Sequence, residues 1–234
     1  MSQPEPGRIS VVIPARNEEN SIAATIDQLR QASVHEVIVA DGDSHDRTRE
    51  IASDCGAAVI RSAPGRGRQQ NLGAAAATGD ILLFLHADTV LPPGFQRHVR
   101  EVLARDGVSA GAFLLRIGAP RRALRLVERM ANWRSNILQL PYGDQALFVK
   151  AETFRRVGGF PDIPLMEDFE LMRRLRQIGR IEIAPAAVTT SARRWDHLGV
   201  WRATWTNQVC VLAYLLRISP RRIARWRDAK HQPW

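Results

Sequence analysis

The chain has 234 residues, of which 45% are hydrophobic and 24% charged, and its formal net charge is +9. This length and composition exclude a disordered protein and predict one substantial α/β domain. The two cysteines lack metal-ligand spacing, and the N-terminus lacks a basic-then-apolar signal pattern, so we expect a cytoplasmic protein without a disulfide framework. The apolar run near the C-terminus, VCVLAYLL, is too short to span a bilayer, which takes roughly 20 residues.

The first 90 residues alternate between apolar runs and amphipathic segments. The predicted strands are ISVVIPA, EVIVADG, AAVIRS and ILLFLHAD, and the predicted helices between them are EENSIAATIDQLRQA, DRTREIASDCG and GRQQNLGAAAATG. Near-continuous apolar strands separated by such helices predict a parallel sheet covered on both faces. In sheets of this kind, ligands bind beyond the carboxyl ends of the strands.

Polar residues crowd at three of these strand ends. They are Pro14 to Glu18, Asp41 to Ser44, and His86 to Asp88. Single strand-end acids are usually helix caps, and we expect Asp43 or Ser44 to be one. Three such ends together indicate one ligand-binding cleft.

The second half is less regular. It contains a predicted helix LPPGFQRHVREVLARDG, a strand VSAGAFLLRIG, a basic amphipathic helix RRALRLVERMANWRSN and a strand GDQALFVK. The helix MEDFELMRRLRQIG carries Glu167, Asp168 and Glu170 in its first turn, where the helix dipole favours acids. A strand RIEIAPAAVTTS and one or two helices follow. We expect a disordered N-terminus (1–8), a domain with a donor half (9–90) and an acceptor half (91–198), and a helical tail (199–234) that packs on it or extends it.

The basic charge is concentrated at the C-terminus. Residues 191–234 carry nine Arg or Lys against two Asp, together with five of the six tryptophans. This segment fits contact with an anionic membrane surface near a lipid-linked acceptor. It equally fits a solvated face on a helix that closes the acceptor side of the domain. A nucleic-acid-binding module is a weaker interpretation, because no recognition motif accompanies the charge, and we expect no nucleic-acid partner.

Several side chains at the predicted cleft suit a nucleoside diphosphate. A divalent cation, Mn²⁺ or Mg²⁺, could lie between Asp88 and a diphosphate. Asp41 could accept a nucleobase N–H or hold a ribose hydroxyl, and Arg66 and Arg68 suit phosphate charge. The helix that begins at Glu167-Asp168 could bring a further carboxylate to the same cleft. One acid that holds a metal and another that acts as a base are the minimum for displacing a nucleoside diphosphate.

The ordered motifs of the chain resemble glycosyltransferase family 2. They are Pro14-x-x-Asn17-Glu18, Asp41-Gly42-x-Ser44-x-Asp46-x-Thr48, Asn71-x-Gly73 with Gly79-Asp80, and Gly158-Gly159-Phe160 followed by Glu167-Asp168. LLFLHADT with GGFPDIPLMEDFEL is similar to a bacterial subgroup of small, single-domain members. The resemblance, which covers residues 9–195, implies a nucleotide-diphospho-sugar transferase (GT-A type) fold with a mixed, mostly parallel sheet, and an inverting single displacement.

The residue pattern and the resemblance together predict the site residues. The nucleotide-sugar set is Pro14, Ala15, Arg16, Asn17, Glu18, Asp41, Arg66, Arg68, Asn71, His86 and Ala87. Asp88 is the expected metal and diphosphate residue, Asp168 the general base, and Glu167 its neighbour against the acceptor. The acceptor-side set is Tyr142, Gly143, Asp144, Gln145, Arg194 and Trp195.

Two positions depart from the family pattern. His86 replaces the first aspartate of the usual Asp-x-Asp, and it could contact ribose or diphosphate, bind the metal through nitrogen, or pack beneath the sugar. Ser191 replaces the glutamine of a Gln-x-x-Arg-Trp motif typical of processive members. The second departure favours transfer of a single sugar over polymer extension.

The sequence therefore predicts an enzyme, an inverting glycosyltransferase that moves one sugar from a nucleotide-diphospho-sugar to a hydroxyl acceptor. Asp41 mildly favours a UDP-sugar as the donor. The alternative is a non-catalytic relative that binds the nucleotide sugar and transfers nothing, which the replacement at His86 suggests. The pair Glu167-Asp168 argues against it, because a catalytic base has little purpose in a binding protein.

Overall fold

The computed structural model describes residues 7–230. Over this range the chain forms one sheet of eight strands in the order β3-β2-β1-β4-β7-β6-β8-β5. The strands are β1 (Ile9–Ala15), β2 (Glu36–Asp41), β3 (Ala58–Arg61), β4 (Ile81–Phe84), β5 (Thr89–Val90), β6 (Val108–Ile117), β7 (Phe148–Lys150) and β8 (Arg180–Thr190). The α-helices are α1 (Ile22–Gln31), α2 (Thr48–Asp54), α3 (Arg66–Ala76), α4 (Phe95–Leu103), α5 (Arg122–Leu138), α6 (Ala151–Arg156), α7 (Glu167–Leu175), α8 (Arg193–Leu198), α9 (Val200–Leu215) and α10 (Pro220–Lys230).

Strand pairing differs between the two halves of the sheet. β1 pairs in parallel with β2 and β4, and β2 pairs in parallel with β3. β7 is antiparallel to both β4 and β6, whereas β8 is parallel to β6 and antiparallel to the short β5. The sheet is thus mixed and mostly parallel, as predicted.

Helices cover both faces of the sheet. Alternate residues of the central strands point to opposite sides, and the apolar side chains on each side pack against helices. On one face, Ile13 and Leu83 pack in a cluster with Ile26 of α1 and Phe95 of α4. On the other face, the cluster contains Val12, Leu82 and Phe84 of β1 and β4, with Phe154, Phe160, Leu171 and Leu175 of the second half. This two-sided core explains why the strands of the first half are almost continuously apolar.

The prediction of a single strand over GDQALFVK is wrong at its start. Gly143–Gln145 form a 3₁₀ turn, and the strand is limited to Phe148–Lys150. Ala146 has φ 48°, a left-handed conformation that interrupts extended pairing. The expected cap at Asp43 or Ser44 is also wrong, because Asp46 accepts the Thr48 backbone N–H at 3.0 Å instead.

The ends of the chain attach to the domain. The expectation of a disordered N-terminus concerns mainly residues 1–6, which lie outside the described range, while the Arg8 backbone N–H donates to the Asp80 carboxylate at 2.9 Å. At the other end, Ala203 of α9 packs in one cluster with Leu115, Leu124 and Trp195. The first helix of the predicted tail therefore shares a core with the domain. Among residues 7–230, no helix is both long and apolar enough to cross a membrane.

Candidate active site

A buried amide joins the carboxyl ends of β1 and β2. The side chain of Gln69, on α3, donates from Nε2 to the backbone carbonyls of Ala15 at 2.9 Å and of Ala40 at 2.8 Å. Beyond β1, Asn17 takes a left-handed φ of 55°, and its backbone N–H donates to Ser44 Oγ at 3.0 Å. These bonds fix the first two predicted polar strand ends against each other.

Asp41 lies at the end of β2 and is completely buried. Its Oδ2 accepts the Ser44 backbone N–H at 3.1 Å and the Arg49 guanidinium at 3.3 Å. Its Oδ1 is buried and has no hydrogen-bond partner within residues 7–230. A buried carboxylate oxygen with spare acceptor capacity is costly unless a ligand donates to it.

Two carboxylates converge on one guanidinium group. Arg193 Nη2 lies 2.9 Å from both carboxylate oxygens of Glu18 and 3.3 Å from Asp88 Oδ2. Burial, followed by the nearby Glu18 charge, raises the pKa of Asp88. The pair therefore forms a site that favours positive charge. Sequence reasoning identified both acids and missed Arg193, although it immediately precedes the predicted Arg194.

This pair of acids fits a hard divalent cation. Over the described range, no group of three or more His, Cys, Asp or Glu side chains is arranged to hold a metal by itself. Mg²⁺, however, is commonly bound by one or two carboxylates together with substrate phosphates. Glu18 and Asp88 supply such a set, and the Arg193 guanidinium shows that a cation is accommodated between them.

The imidazole of His86 lies close to the predicted base, and Asp88, the predicted metal residue, follows two positions later in the chain. A Cβ placed on Gly143 would be 3.3 Å from His86 Nε2 and 3.4 Å from Asp168 Oδ2, so both side chains face the same point. Burial, with the charges of Arg66 and Arg194, lowers the pKa of His86 to about 3. A neutral ring with a buried Nε2 that finds no partner in residues 7–230 is able to bond a ligand.

The acidic pair of α7 is held at the helix start. The Gly143 backbone N–H donates to Asp168 Oδ2 at 2.7 Å, which orients this carboxylate toward the 143–145 turn. Glu167 beside it is buried, and burial together with the Asp168 charge raises the pKa of Glu167. Arg66 Nη1 lies 3.8 Å from Glu167 Oε1, and the Arg66 charge also acts on Asp88 and His86. Arg66 therefore lies close to both the predicted metal-side and the predicted base-side carboxylates.

The predicted acceptor-side residues surround the 143–145 turn. Arg134 lies over the Tyr142 ring, 3.4 Å from its centroid. Burial raises the pKa of Asp144. Burial, with the charges of Arg227 and Arg66, lowers the pKa of Arg194 to about 10. Trp195 packs in the core beneath them.

Several predicted residues make structural bonds instead of facing the cleft. Gln145 is fully buried and bonds Phe113 and Ser135, so it shapes the turn and does not reach an acceptor. Arg68 pairs with Asp162 at 2.7 Å on the surface, away from the phosphate role expected for it. Asn71 exchanges two hydrogen bonds with the backbone of Phe160. The carbonyl of Ala87 accepts the Thr25 hydroxyl, whereas Pro14 is half-buried in β1 and Arg16 is exposed just beyond it.

The sequence of residues 10–159 matches the family model of Glycosyl transferase family 2. The chain belongs to this family. The match covers all the polar strand ends, whereas Glu167 and Asp168 lie beyond it.

Curated relatives are similar over parts of their length. The 4,4'-diaponeurosporenoate glycosyltransferase of Staphylococcus haemolyticus is 42% identical over 92 residues, which are 36% of this chain and 24% of that protein. The probable glycosyltransferase YdaM of Bacillus subtilis is 26% identical over 240 residues, 89% of this chain and 57% of that protein. The chain therefore spans less than two thirds of either relative.

Solved structures share the fold. Glucosyl-3-phosphoglycerate synthase from Mycobacterium tuberculosis, in complex with phosphoglyceric acid, has a TM-score of 0.62 and 25% identity, over 82% of this chain and 75% of that one. The same synthase has been solved with Mn²⁺, UDP and glucosyl-3-phosphoglycerate. The mannosyltransferase PcManGT from Pyrobaculum calidifontis, in complex with GDP-Man and Mn²⁺, has a TM-score of 0.69 and 21% identity. The match covers 91% of this chain and 65% of that one. The fold of this chain is thus of the GT-A type.

Proposed function

We propose that this glycosyltransferase transfers a single sugar from a nucleotide-diphospho-sugar, a UDP-sugar in preference, to a hydroxyl acceptor with inversion at the anomeric carbon. The observation that carries the proposal is that two acidic groups lie around the same side chains. Glu18 and Asp88 together bind the Arg193 guanidinium, and Asp168 is held by the Gly143 N–H. The Arg66 charge acts on Asp88 and Glu167, and His86 approaches Gly143 as Asp168 does.

The residues divide the reaction between them. Asp168 takes the proton of the acceptor hydroxyl, whose oxygen attacks the anomeric carbon while the bond to the diphosphate breaks on the opposite face. The Gly143 N–H holds the carboxylate in the orientation that this proton transfer needs. Positioned base catalysis is typically worth about 10²- to 10⁴-fold in rate. A divalent cation, Mn²⁺ or Mg²⁺, supplies charge neutralisation of the leaving diphosphate when it is bound by Asp88 and Glu18.

The donor side of the proposal has support from related structures. The synthase of M. tuberculosis has been solved with Mn²⁺ and UDP, and the P. calidifontis mannosyltransferase with GDP-Man and Mn²⁺. A nucleotide sugar and a divalent cation are the ligands that we propose for this chain as well. The unpartnered Oδ1 of Asp41 favours a base with a ring N–H, of which uracil is one.

The basic C-terminal segment has its own role in the proposal. Arg202 lies on α9 beside the exposed Trp201 and Trp205, whereas Arg217, Arg221 and Arg222 lie beyond the other end of α9 and at the start of α10. Basic residues interleaved with exposed tryptophan are typical of helices that lie on anionic membrane surfaces. We infer that this segment meets the cytoplasmic membrane surface and brings the enzyme to a lipid-linked acceptor. Flotation with anionic liposomes at low salt tests it, and protein that stays at the bottom contradicts it.

A nucleotide panel tests the donor site. Thermal shifts with UDP, GDP and dTDP are measured with and without Mn²⁺, for the wild type and for Asp88→Asn. We expect a Mn²⁺-dependent stabilisation by one nucleotide that Asp88→Asn loses. Asp162→Asn, which changes an exposed acid paired with Arg68, is the matched control and keeps the effect. If a nucleotide raises the melting temperature equally with and without Mn²⁺, the proposed metal role of Asp88 is wrong.

A second measurement separates transfer from binding. Proton NMR of the product made from an α-linked UDP-sugar reports the anomeric configuration, and we expect a β-linked product. A retained α configuration overturns the single displacement. If the protein binds the nucleotide but neither transfers sugar to any acceptor nor slowly hydrolyses the donor, the non-catalytic relative is favoured.

A further inference from the structure

A long apolar groove runs between α5 and α9 on the acceptor side of the molecule. Its volume is about 520 Å³, within the range of sites that bind small molecules. Carbon-rich side chains line it from both helices and from the strand between them, among them Leu115, Val127, Met130, Val211 and Leu215. Few polar atoms face the groove, so water inside it makes few hydrogen bonds to the protein. An apolar ligand would therefore displace this water with a favourable free energy.

The inner end of the groove borders the candidate catalytic centre through residues next to Gly143 and Asp168. Tyr142, Asp144 and Trp195 line the groove, and Tyr142 and Asp144 flank Gly143, which donates to Asp168. Phe169, the residue directly after Asp168, also lines it. A molecule in the groove would therefore present one end to the proposed base.

The outer end of the groove opens among exposed apolar side chains. Met130, Trp133 and Leu138 of α5 and Leu215 of α9 line the groove, although each is at least 44% exposed. Such a patch is unusual on a monomer that has no apolar ligand or partner. Its continuity with the interior groove indicates one occupant that is apolar along its length.

We propose that the groove between α5 and α9 binds the hydrocarbon chain of the acceptor, a single-chain amphiphile whose terminal hydroxyl lies at Asp168. This inference rests on the proposed glycosyl transfer, because it assigns the acceptor class of the same site. Arg134 lines the groove and lies over the Tyr142 ring, where its positive charge suits an amphiphile with an anionic group next to its hydroxyl. The exposed outer end allows a chain longer than the groove to continue into a membrane.

Chain length is the variable that tests the groove. Burial of a methylene group is worth enough to raise affinity about fourfold. For the primary alcohols hexanol, octanol and decanol, we expect affinity to increase about fourfold per added CH₂. Binding is measured below the solubility limit of each alcohol by calorimetry and by quenching of tryptophan fluorescence.

Two substitutions on α9 give a matched pair. Gln208→Trp places a large side chain on the groove wall, at an exposed position where folding should not suffer. Leu212→Trp adds similar bulk at an exposed position on the same helix outside the groove lining. We expect Gln208→Trp to weaken decanol binding at least tenfold, and Leu212→Trp to leave it within twofold. Both variants should bind UDP with Mn²⁺ as the wild type does.

The outcomes separate this inference from the proposed function. Affinity that is independent of chain length, or equal loss in both variants, overturns the groove assignment while UDP binding leaves the donor site intact. Absence of Mn²⁺-dependent UDP binding with an intact chain-length series removes the transferase and leaves an amphiphile-binding groove. Concentration-dependent dimerisation that decanol does not reverse assigns the face to a second copy. Equal binding of anionic vesicles by the wild type and both variants, without a chain-length effect, assigns it to the membrane surface alone.

Discussion

The donor half and the acceptor half of the molecule hold their functional side chains in different ways. At the ends of β1 and β2, side chains bond directly to backbone groups of neighbouring segments, as Gln69 and Ser44 do. On the acceptor side, α5 and α9 leave apolar side chains such as Trp133 and Leu215 open to solvent beside a groove. One half is fixed by hydrogen bonds, and the other offers a shape and an apolar surface.

The difference matches the two ligands proposed above. A nucleoside diphosphate has many polar atoms at fixed spacing, and preorganised donors and acceptors recognise it best. The acceptor proposed above is mostly hydrocarbon, for which burial of area matters more than direction. The proposed catalytic acids come from both halves, because Asp168 lies in the first turn of α7 while Asp88 follows β4.

The largest effect is expected where the halves meet. Asp168→Asn keeps an oxygen that can accept the Gly143 N–H but cannot take a proton from the acceptor. Transfer should fall about 10²- to 10⁴-fold while UDP affinity stays unchanged. Initial rates of UDP release and calorimetry of UDP binding measure the two quantities. Retention of more than a tenth of the activity shows that another group is the base.

The rigidity of the donor half is tested by Gln69→Leu. This change leaves the carbonyls of Ala15 and Ala40 without the donor that bonds both, and an unsatisfied buried group costs about 1–3 kcal/mol. We expect the free energy of unfolding to decrease by about 2–4 kcal/mol, measured by urea denaturation, with weaker UDP binding. The control Gln177→Leu changes an exposed residue of the acceptor half and should shift stability by less than about 0.5 kcal/mol. Equal effects of the two changes would contradict the contrast.

The same contrast explains what the sequence predicted. The parallel strands of the first half were predictable because their apolar runs are buried on both faces, and the polar strand ends follow from the parallel topology. Glu167 and Asp168 were predictable from the acidic first turn of α7 and from the family motif.

Other features depend on contacts between distant segments, which a local pattern does not contain. The burial of Gln145 arises from bonds to Phe113 of β6 and Ser135 of α5. The reach of Arg193 to Glu18 joins positions 175 residues apart. The apolar periodicity of α5 predicts that one face of this helix is buried. It does not predict that α9 packs so as to leave a groove along that face.

The attachment of α9 to the acceptor half is tested by acid. Glu170 of α7 accepts hydrogen bonds from Arg173 and from the Tyr214 hydroxyl of α9, and these bonds, that of Arg173 foremost, lower its pKa to about 2. The stability from this group is complete above the unfolded pKa near 4.5 and is lost as pH falls toward 2. Between pH 7 and pH 3, the wild type should lose about 2 kcal/mol more than Glu170→Gln in urea denaturation.

An exposed acid provides the comparison for this pH effect. Glu152→Gln on α6 removes a carboxylate at the surface and should follow the wild-type dependence on pH. If Glu170→Gln has the same acid sensitivity as the wild type, the bonds among Glu170, Arg173 and Tyr214 contribute nothing to holding α9.

The smallest effect concerns the side chain that joins the halves. Arg193 follows β8, yet its guanidinium pairs with the donor-half acids Glu18 and Asp88, where it would compete with the proposed divalent cation. Because half-exposed ion pairs are worth up to about 1 kcal/mol, Arg193→Gln should bind Mn²⁺ at most about fivefold more tightly without nucleotide. Calorimetric Mn²⁺ titration measures this, and Arg121→Gln, which breaks the surface pair with Asp196, should leave the affinity unchanged. Weaker Mn²⁺ binding by Arg193→Gln would mean that Arg193 holds the two acids together for the cation. With UDP present, the difference in Mn²⁺ affinity between Arg193→Gln and the wild type should become smaller. The diphosphate then offers the wild-type Arg193 guanidinium a partner other than the two acids.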